Sequence, residues 1–412
     1  MKLYHNIRLL YTPTGQTLAK GAEAMRNLRM IENAEVLVLD DGKIEQIGEA
    51  GSFESNGAQR IDCRGLVALP GFVDSHTHAV FMGERSLEFG MRAAGKSYQE
   101  IAEAGGGIRS TVDKVGSASP EEIAAHSKKY VMSALGLGTT TMEVKSGYGL
   151  TTESEINLLK AAEILGRETP IEIIRTYMGA HAVPRGMDRY DYVEQILNEQ
   201  LPALPEGLAE FADVFTDCGY FTNEETLRIL EACNAKGLKP KMHSDELCDT
   251  DGAALAAKLD CFSADHLLKI NDDGIAKLAA SRRTVATLLP ITALSIRSPF
   301  APARKLIDAG AAVAIATDCN PGSSMSENIQ LAMTLAVIGM QMTVEEALTA
   351  ATLNGAAAID RASTHGSLEA GKVCDMVLYD IPRLEYLPYH VGVSDVVSVI
   401  KRGAVVSGEA LN

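Results

Sequence analysis

The chemistry in this 412-residue chain gathers at its histidines. His76 and His78 lie one residue apart in Leu69-Pro70-Gly71-Phe72-Val73-Asp74-Ser75-His76-Thr77-His78, just after the apolar run Leu66 to Leu69. Successive side chains on an extended strand point to opposite faces, so two imidazoles at this spacing project to the same side and can share one metal ion. Three more histidines end proposed strands, in Tyr177 to His181, Lys241 to His243 and Ser263 to His266, while Asp318 ends Ala312 to Asp318. Imidazoles with one carboxylate suit zinc or iron, and no paired thiolates compete. Three histidines and an aspartate around one ion leave a position open for water. The ion lowers the pKa of that water toward about 7. A carboxylate touching both ion and water can take its proton, a role that fits Asp318.

Such residues need a frame that brings strand ends together. Up to residue 66 the chain reads as β structure, with Glu35 to Leu39 and Ile44 to Ile47 flanking the turn Asp40-Asp41-Gly42-Lys43, and Ile61 to Val67 as a further strand. From Pro70 onward, short apolar runs (139–144, 171–176, 212–217, 240–243, 312–318) alternate with helical stretches (120–135, 152–165, 223–236, 272–280, 344–351). Ser119 is placed to cap the first of these helices, and Thr152-Glu153-Ser154-Glu155 has the pattern of a capping box at the second. Seven or eight strand–helix units predict a (β/α)8 barrel, whose functional residues lie at the C-terminal ends of its strands. The tail turns β again at 373–379 and 393–401. The expected architecture is therefore a small composite β-sandwich domain from residues 1–66 and 360–412, with the barrel inserted at 67–359. No G-x-G-x-x-G or G-x-x-x-x-G-K-[ST] follows a strand, which removes the main nucleotide-binding alternatives.

With 54 acidic and 38 basic residues the net charge is −16, against a nucleic-acid or anionic-membrane partner. The seven cysteines include no C-x-x-C, so reduced thiols in a cytoplasmic protein are expected and no disulfide framework. No leader-like or membrane-length apolar run is present.

These motifs together resemble the amidohydrolase superfamily, and within it are similar to the imidazolonepropionases. The resemblance rests on the H-x-H run, Gly95-Lys96-Ser97-Tyr98, Gly105-Gly106-Gly107-Ile108, Val144-Lys145-Ser146-Gly147-Tyr148-Gly149-Leu150, Gly179-Ala180-His181, His243-Ser244-Asp245-Glu246, Ser263 to His266, and Ala316-Thr317-Asp318 through Asn320-Pro321-Gly322-Ser323-Ser324. H-x-H specifies only the superfamily; Ser-Gly-Tyr-Gly-Leu and Asn-Pro-Gly-Ser-Ser carry the narrower match. The resemblance implies hydrolysis of the ring C–N amide bond of 4-imidazolone-5-propanoate to N-formimino-L-glutamate, in a homodimer holding one zinc or iron ion per subunit. It implies His76, His78, His243 and Asp318 as metal ligands. It implies Arg85, Tyr98, Tyr148, His181, Asn320, Gly322 and Ser323 as substrate contacts, and Asp318, Glu246 and His266 as the catalytic groups. A guanidinium at Arg85 suits a propanoate tail. Cys319 receives no role. A deaminase of a heterocyclic base on the same scaffold is the alternative, and a lid at Gly105 to Gly107 is a further expectation.

Overall fold

A computed structural model describes residues 1–96, 100 and 106–411. Tyr98 and Gly105 lie outside the described residues. The N-terminal strands are β1 (Lys2–Pro13), β2 (Leu28–Val38), β3 (Ile44–Glu49), β4 (Gln59–Asp62) and β5 (Val67–Pro70). The barrel strands are β6 (Phe72–Asp74), β7 (Thr139–Lys145), β8 (Glu172–Ala180), β9 (Phe211–Thr216), β10 (Lys239–Ser244), β11 (Ser263–His266), β12 (Val285–Leu288) and β13 (Ala312–Ile315). The tail adds β14 (Met376–Tyr379), β15 (Val396–Lys401) and β16 (Ala404–Gly408).

Strands from both ends of the chain join one eight-stranded mixed sheet, in the order β16-β15-β14-β5-β1-β2-β3 with β4 beside β1. The sheet curls back on itself: Ile44 N–H donates to Lys372 O, and Cys374 N–H donates to Gly42 O. Tyr4, Ile7, Val36, Met376, Leu378 and Ile400 fill its interior. The single strand expected over 61–67 is instead two, because Arg64 and Gly65 take left-handed backbone (φ 54° and 74°) and turn the chain between β4 and β5. Both then run parallel to β1.

The second sheet holds eight parallel strands in sequence order, β6 to β13. Its seam is completed beyond the strand ends, where Asp318 N–H donates to His76 O and His78 N–H donates to Cys319 O, both at 3.0 Å. Asp74 ties the same seam, accepting from the Thr317 amide (3.0 Å) and hydroxyl (2.6 Å). The residues that close the cylinder are thus neighbours of the ones that carry the chemistry.

Helix starts follow their capping residues. Ser119 caps Pro120–Gly136 with Glu122 in a capping box. The helix Thr152–Glu168 is capped by Thr151, one residue earlier than the sequence pattern suggests. Glu155 is thereby freed from capping; buried, it accepts from the amides of Gly147, Gly149 and Leu150. The loop bearing Tyr148 is fixed by those three bonds.

Cys218 and Cys248 form a disulfide, which corrects the expectation of seven free thiols. They are thirty residues apart in sequence, and no local spacing announces them. Each follows a barrel strand, and β9 and β10 are neighbours, so their loops lie side by side with Cα atoms 5.9 Å apart. Among the described residues no helix is long and apolar enough to cross a membrane.

Candidate metal centre and substrate cavity

The imidazoles meet at the C-terminal mouth of the barrel. The ring centroids of His76 and His243 are 4.5 Å apart, and those of His76 and His78 5.5 Å. His78 Nε2 faces His243 Nε2 at 3.4 Å. Asp318 Oδ1 lies 3.5 Å from His76 Nε2 and 3.8 Å from His78 Nε2. Two possible ligand groups share His76, one with His78 and His243 and one with His266 and Asp318, and a third joins His243 to Asp213 and Asp265.

Protons on the far ring nitrogens decide what these faces offer. His76 Nδ1–H donates to Asp265 Oδ2 (2.6 Å), and His243 Nδ1–H donates to Asp213 Oδ1 (3.0 Å). A neutral imidazole protonated at Nδ1 presents a lone pair at Nε2. His76 Nε2 is buried and makes no hydrogen bond among the described residues. Burial also pushes the pKa of His76 and His78 well down, keeping both rings neutral. The Nε2 lone pairs of His76 and His243 fall within one possible ligand group, and a cation set between them would satisfy both. The donor set fits a zinc- or iron-type ion.

Beneath the ligands lies a buried ionic layer. Lys145 Nζ contacts Glu143 and Asp213 at 2.7 Å each, and Asp265 at 3.7 Å. Lys241 Nζ contacts Glu143 at 3.3 Å and donates to Ser75 O at 2.8 Å. Sequence reasoning gave these residues no role. The signal was present: Glu143 with Lys145, and Lys241 with His243, are charged or ligating pairs two residues apart within strands, hence on one face of each.

Asp318 and His266 both take left-handed backbone (φ 52° and 75°), at a cost of about 1–3 kcal/mol each. Thr292 donates to Asp318 Oδ2 at 2.6 Å, fixing one carboxylate oxygen while Oδ1 faces the histidines. Burial pushes the Asp318 carboxyl up to about 6. Glu246 is pushed up to about 8, first by burial and then by the charges of Asp318 and Asp217. Its Oε1 lies 3.6 Å from His266 Nδ1. Asp217 holds the Glu246 loop in place, accepting from the amides of Glu246 (2.7 Å), Leu247 (2.8 Å) and Cys248 (3.1 Å).

A cavity of about 200 Å³ opens above this floor. His78, Tyr148, His181, His243, Glu246, His266 and Asp318 line it, together with Arg85, Asn320, Gly322 and Ser323. Among the sequence-derived candidates, His76 sits fully buried below the cavity and Tyr98 is outside the described residues. Stacked on His78 at 4.9 Å, His181 donates from Nδ1 to Gly147 O at 2.8 Å. Gly147 has φ 105°, and a Cβ there would approach His181 Nδ1 to 3.0 Å, so this contact requires glycine. Asn320 Oδ1 accepts from the amides of Gly322 and Ser323 (2.7 and 2.8 Å), shaping that loop. The sequence reading missed Arg92, Phe215, Tyr220 and Leu247, which also line the cavity. Phe215 lies near the end of β9 and Arg92 on the helix Ser86–Ala93, while Tyr220 and Leu247 come from the loops after β9 and β10.

Known proteins resemble this chain in sequence and in fold. The amidohydrolase family model matches residues 67–406. A protein of Porphyromonas gingivalis named imidazolonepropionase is 46% identical over 413 residues, covering 98% of this chain and 97% of that one. One of Syntrophobacter fumaroxidans with the same name is 43% identical, covering 97% and 96%. Among solved structures, a mutant of the atrazine chlorohydrolase TrzN of Arthrobacter aurescens superposes with a TM-score of 0.71 at 18% identity, covering 99% of this chain and 95% of its own. The guanine deaminase of E. coli gives 0.70 at 16%, covering 100% of both chains. At such identities the two structures show the fold alone. The chain belongs to the amidohydrolase family, in the branch that holds the imidazolonepropionases.

Proposed function

We propose that this chain hydrolyses 4-imidazolone-5-propanoate to N-formimino-L-glutamate. The observation that carries the reading is one cavity with an imidazole–carboxylate cluster at its base and a guanidinium on its wall, as a cyclic amide with a carboxylate tail requires. The names of the relatives at 43–46% identity support it. His76, His78, His243 and Asp318 would hold one zinc or iron ion, which when bound supplies a Lewis acid and a water of lowered pKa.

The chain's own groups then divide the proton work. A water oxygen adds to the ring carbonyl carbon, the C–N bond breaks, and the freed nitrogen gains a proton. Asp318, with a pKa raised to about 6 and one oxygen anchored by Thr292, takes the proton from the water. Glu246, raised to about 8, is a neutral acid at pH 7 and can hydrogen-bond the ring nitrogen and deliver a proton to it. His266, kept neutral by burial, would stabilise the oxyanion on the attacked carbonyl. Tyr148 and His181 flank the ring site, while Arg85 faces the tail.

Incubating purified protein with imidazolonepropanoate and following formiminoglutamate by mass spectrometry tests the assignment. Turnover is expected. Its absence, together with ammonia release from guanine or cytosine, would put a deaminase in its place. The same reading carries a homodimer, which sedimentation of the purified protein tests.

A further inference from the structure

The helix Ser86–Ala93 brings two arginines to the cavity, Arg85 at its N-terminal cap and Arg92 in its last turn. Seven residues is about two helical turns, so both project toward the same side. Their charges are not in the same state. Arg85 Nε and Nη2 both donate to Glu88 Oε2, at 2.9 and 2.8 Å, and Glu88 is buried. Its charge is therefore already matched within the protein. Arg92 Nη2 donates to Gly322 O at 3.0 Å, a neutral partner. Among the described residues no carboxylate lies within ion-pair distance of Arg92. The carboxyl groups that line the cavity are those of Glu246 and Asp318. A second cavity of about 340 Å³ adjoins the first and is also lined by Arg85, Arg92, Gly322 and Ser323, so this wall stays open to a ligand on both sides.

We propose that Arg92 is a specificity-determining residue, supplying the uncompensated positive charge that selects a substrate bearing a carboxylate. Arg85 contributes hydrogen-bond donors beside it. A Cβ at Gly322 would come within 2.6 Å of Arg85 Nη1, so the glycine lets both guanidiniums close on one spot. A carboxylate reaching this wall would replace a backbone carbonyl as the partner of Arg92, exchanging a neutral hydrogen bond for a charge-assisted one. This assignment rests on the proposed hydrolysis and adds the residue that reads the tail.

The test uses full-length, metal-loaded protein and two probes differing only in charge, imidazole-4-propanoate and its amide, with binding measured by calorimetry. Turnover of imidazolonepropanoate by the unmutated protein is measured first. Arg92→Gln is expected to weaken the acid about 10- to 100-fold and leave the amide within about twofold. Arg92→Lys is expected to keep most of the preference for the acid, because it keeps the charge. Equal weakening of both probes in Arg92→Gln would reduce Arg92 to a prop for the 320–324 loop and overturn the proposal. Unchanged affinity for the acid would overturn it too, leaving the hydrolysis reading intact. An unmutated protein that turns nothing over and binds acid and amide alike would remove both.

Discussion

Asp213→Asn tests the tautomer argument most directly. Asp213 accepts on both oxygens, from His243 Nδ1–H at 3.0 Å through Oδ1 and from Lys145 Nζ at 2.7 Å through Oδ2. An amide of the same shape has one acceptor and one donor, so one of the two contacts becomes donor against donor. If the NH2 group faces His243, the ring must accept at Nδ1 and carry its proton on Nε2, which removes the lone pair from the metal face. In either orientation a buried ammonium loses the charge of one of its two closest carboxylates, and where the NH2 group faces Lys145 it loses the hydrogen bond as well. Losing an outer partner of a ligand lowers metal affinity about 10- to 100-fold, or about 1.4–2.7 kcal/mol. Breaking a buried ion pair costs about 3–5 kcal/mol of folding stability. The assay is competition with a chelator of known affinity, followed by elemental analysis of the protein, with melting curves recorded with and without metal. Asp265→Asn, acting on His76 through the 2.6 Å contact, is the companion variant should Asp213→Asn fold poorly. A folded Asp213→Asn protein holding zinc as tightly as the unmutated chain would refute the claim that this carboxylate sets the imidazole's proton.

Asp318→Asn should fold normally by circular dichroism and lose at least about 100-fold in kcat, since general-base catalysis alone contributes that much; near-normal turnover would exclude Asp318 as the proton acceptor. For Glu246 the sign is set by its raised pKa: the acid form prevails below about pH 8 and is lost above it. Turnover that needs this proton should fall as pH rises through about 8, and Glu246→Gln should flatten that limb in a pH–rate profile. Arg85→Ala should raise KM at least about tenfold with kcat little changed, and an unchanged KM would argue against its contact with the tail. Dialysis against a chelator should abolish turnover, with recovery on adding zinc or ferrous iron; activity persisting in protein shown by elemental analysis to be metal-free would exclude a metal-dependent reaction.

Much of the site was legible because a parallel barrel converts strand ends into one rim. His76, His78, His243, His266 and Asp318 could be read from four separate runs without knowing any contact between them. The supporting residues were less visible, because their meaning depends on partners far along the chain. Asp74 meets Thr317 across 243 positions, and Asp265 meets His76 across 189. Nothing local distinguishes Asp213 inside Phe211–Thr216 from a tolerated polar residue until β10 brings His243 beside it. The disulfide was hidden for the same reason, since Cys218 and Cys248 are unremarkable until two loops lie over neighbouring strands. The division of 59–70 into β4 and β5 turned on a left-handed residue, Arg64, of a type that does not advertise the conformation.

The buried ionic layer also shows why the rim favours a cation. Glu143, Asp213 and Asp265 face Lys145 and Lys241, three carboxylates against two ammonium groups. Adding Asp318 at the rim leaves two negative charges in excess. In a protein interior the attraction between unit charges a few ångströms apart is several-fold stronger than in water, so this excess is costly if unmatched. A divalent ion between His76, His78, His243 and Asp318 would cancel it, while the neutral imidazoles supply lone pairs without altering the sum. The lysines do the complementary work: each stands on a strand whose inward face carries a carboxylate or a ligand two residues away, and each keeps the acids below from repelling one another before any ion arrives. On this view the floor sets how much charge the rim accepts, and the histidines set where that charge sits.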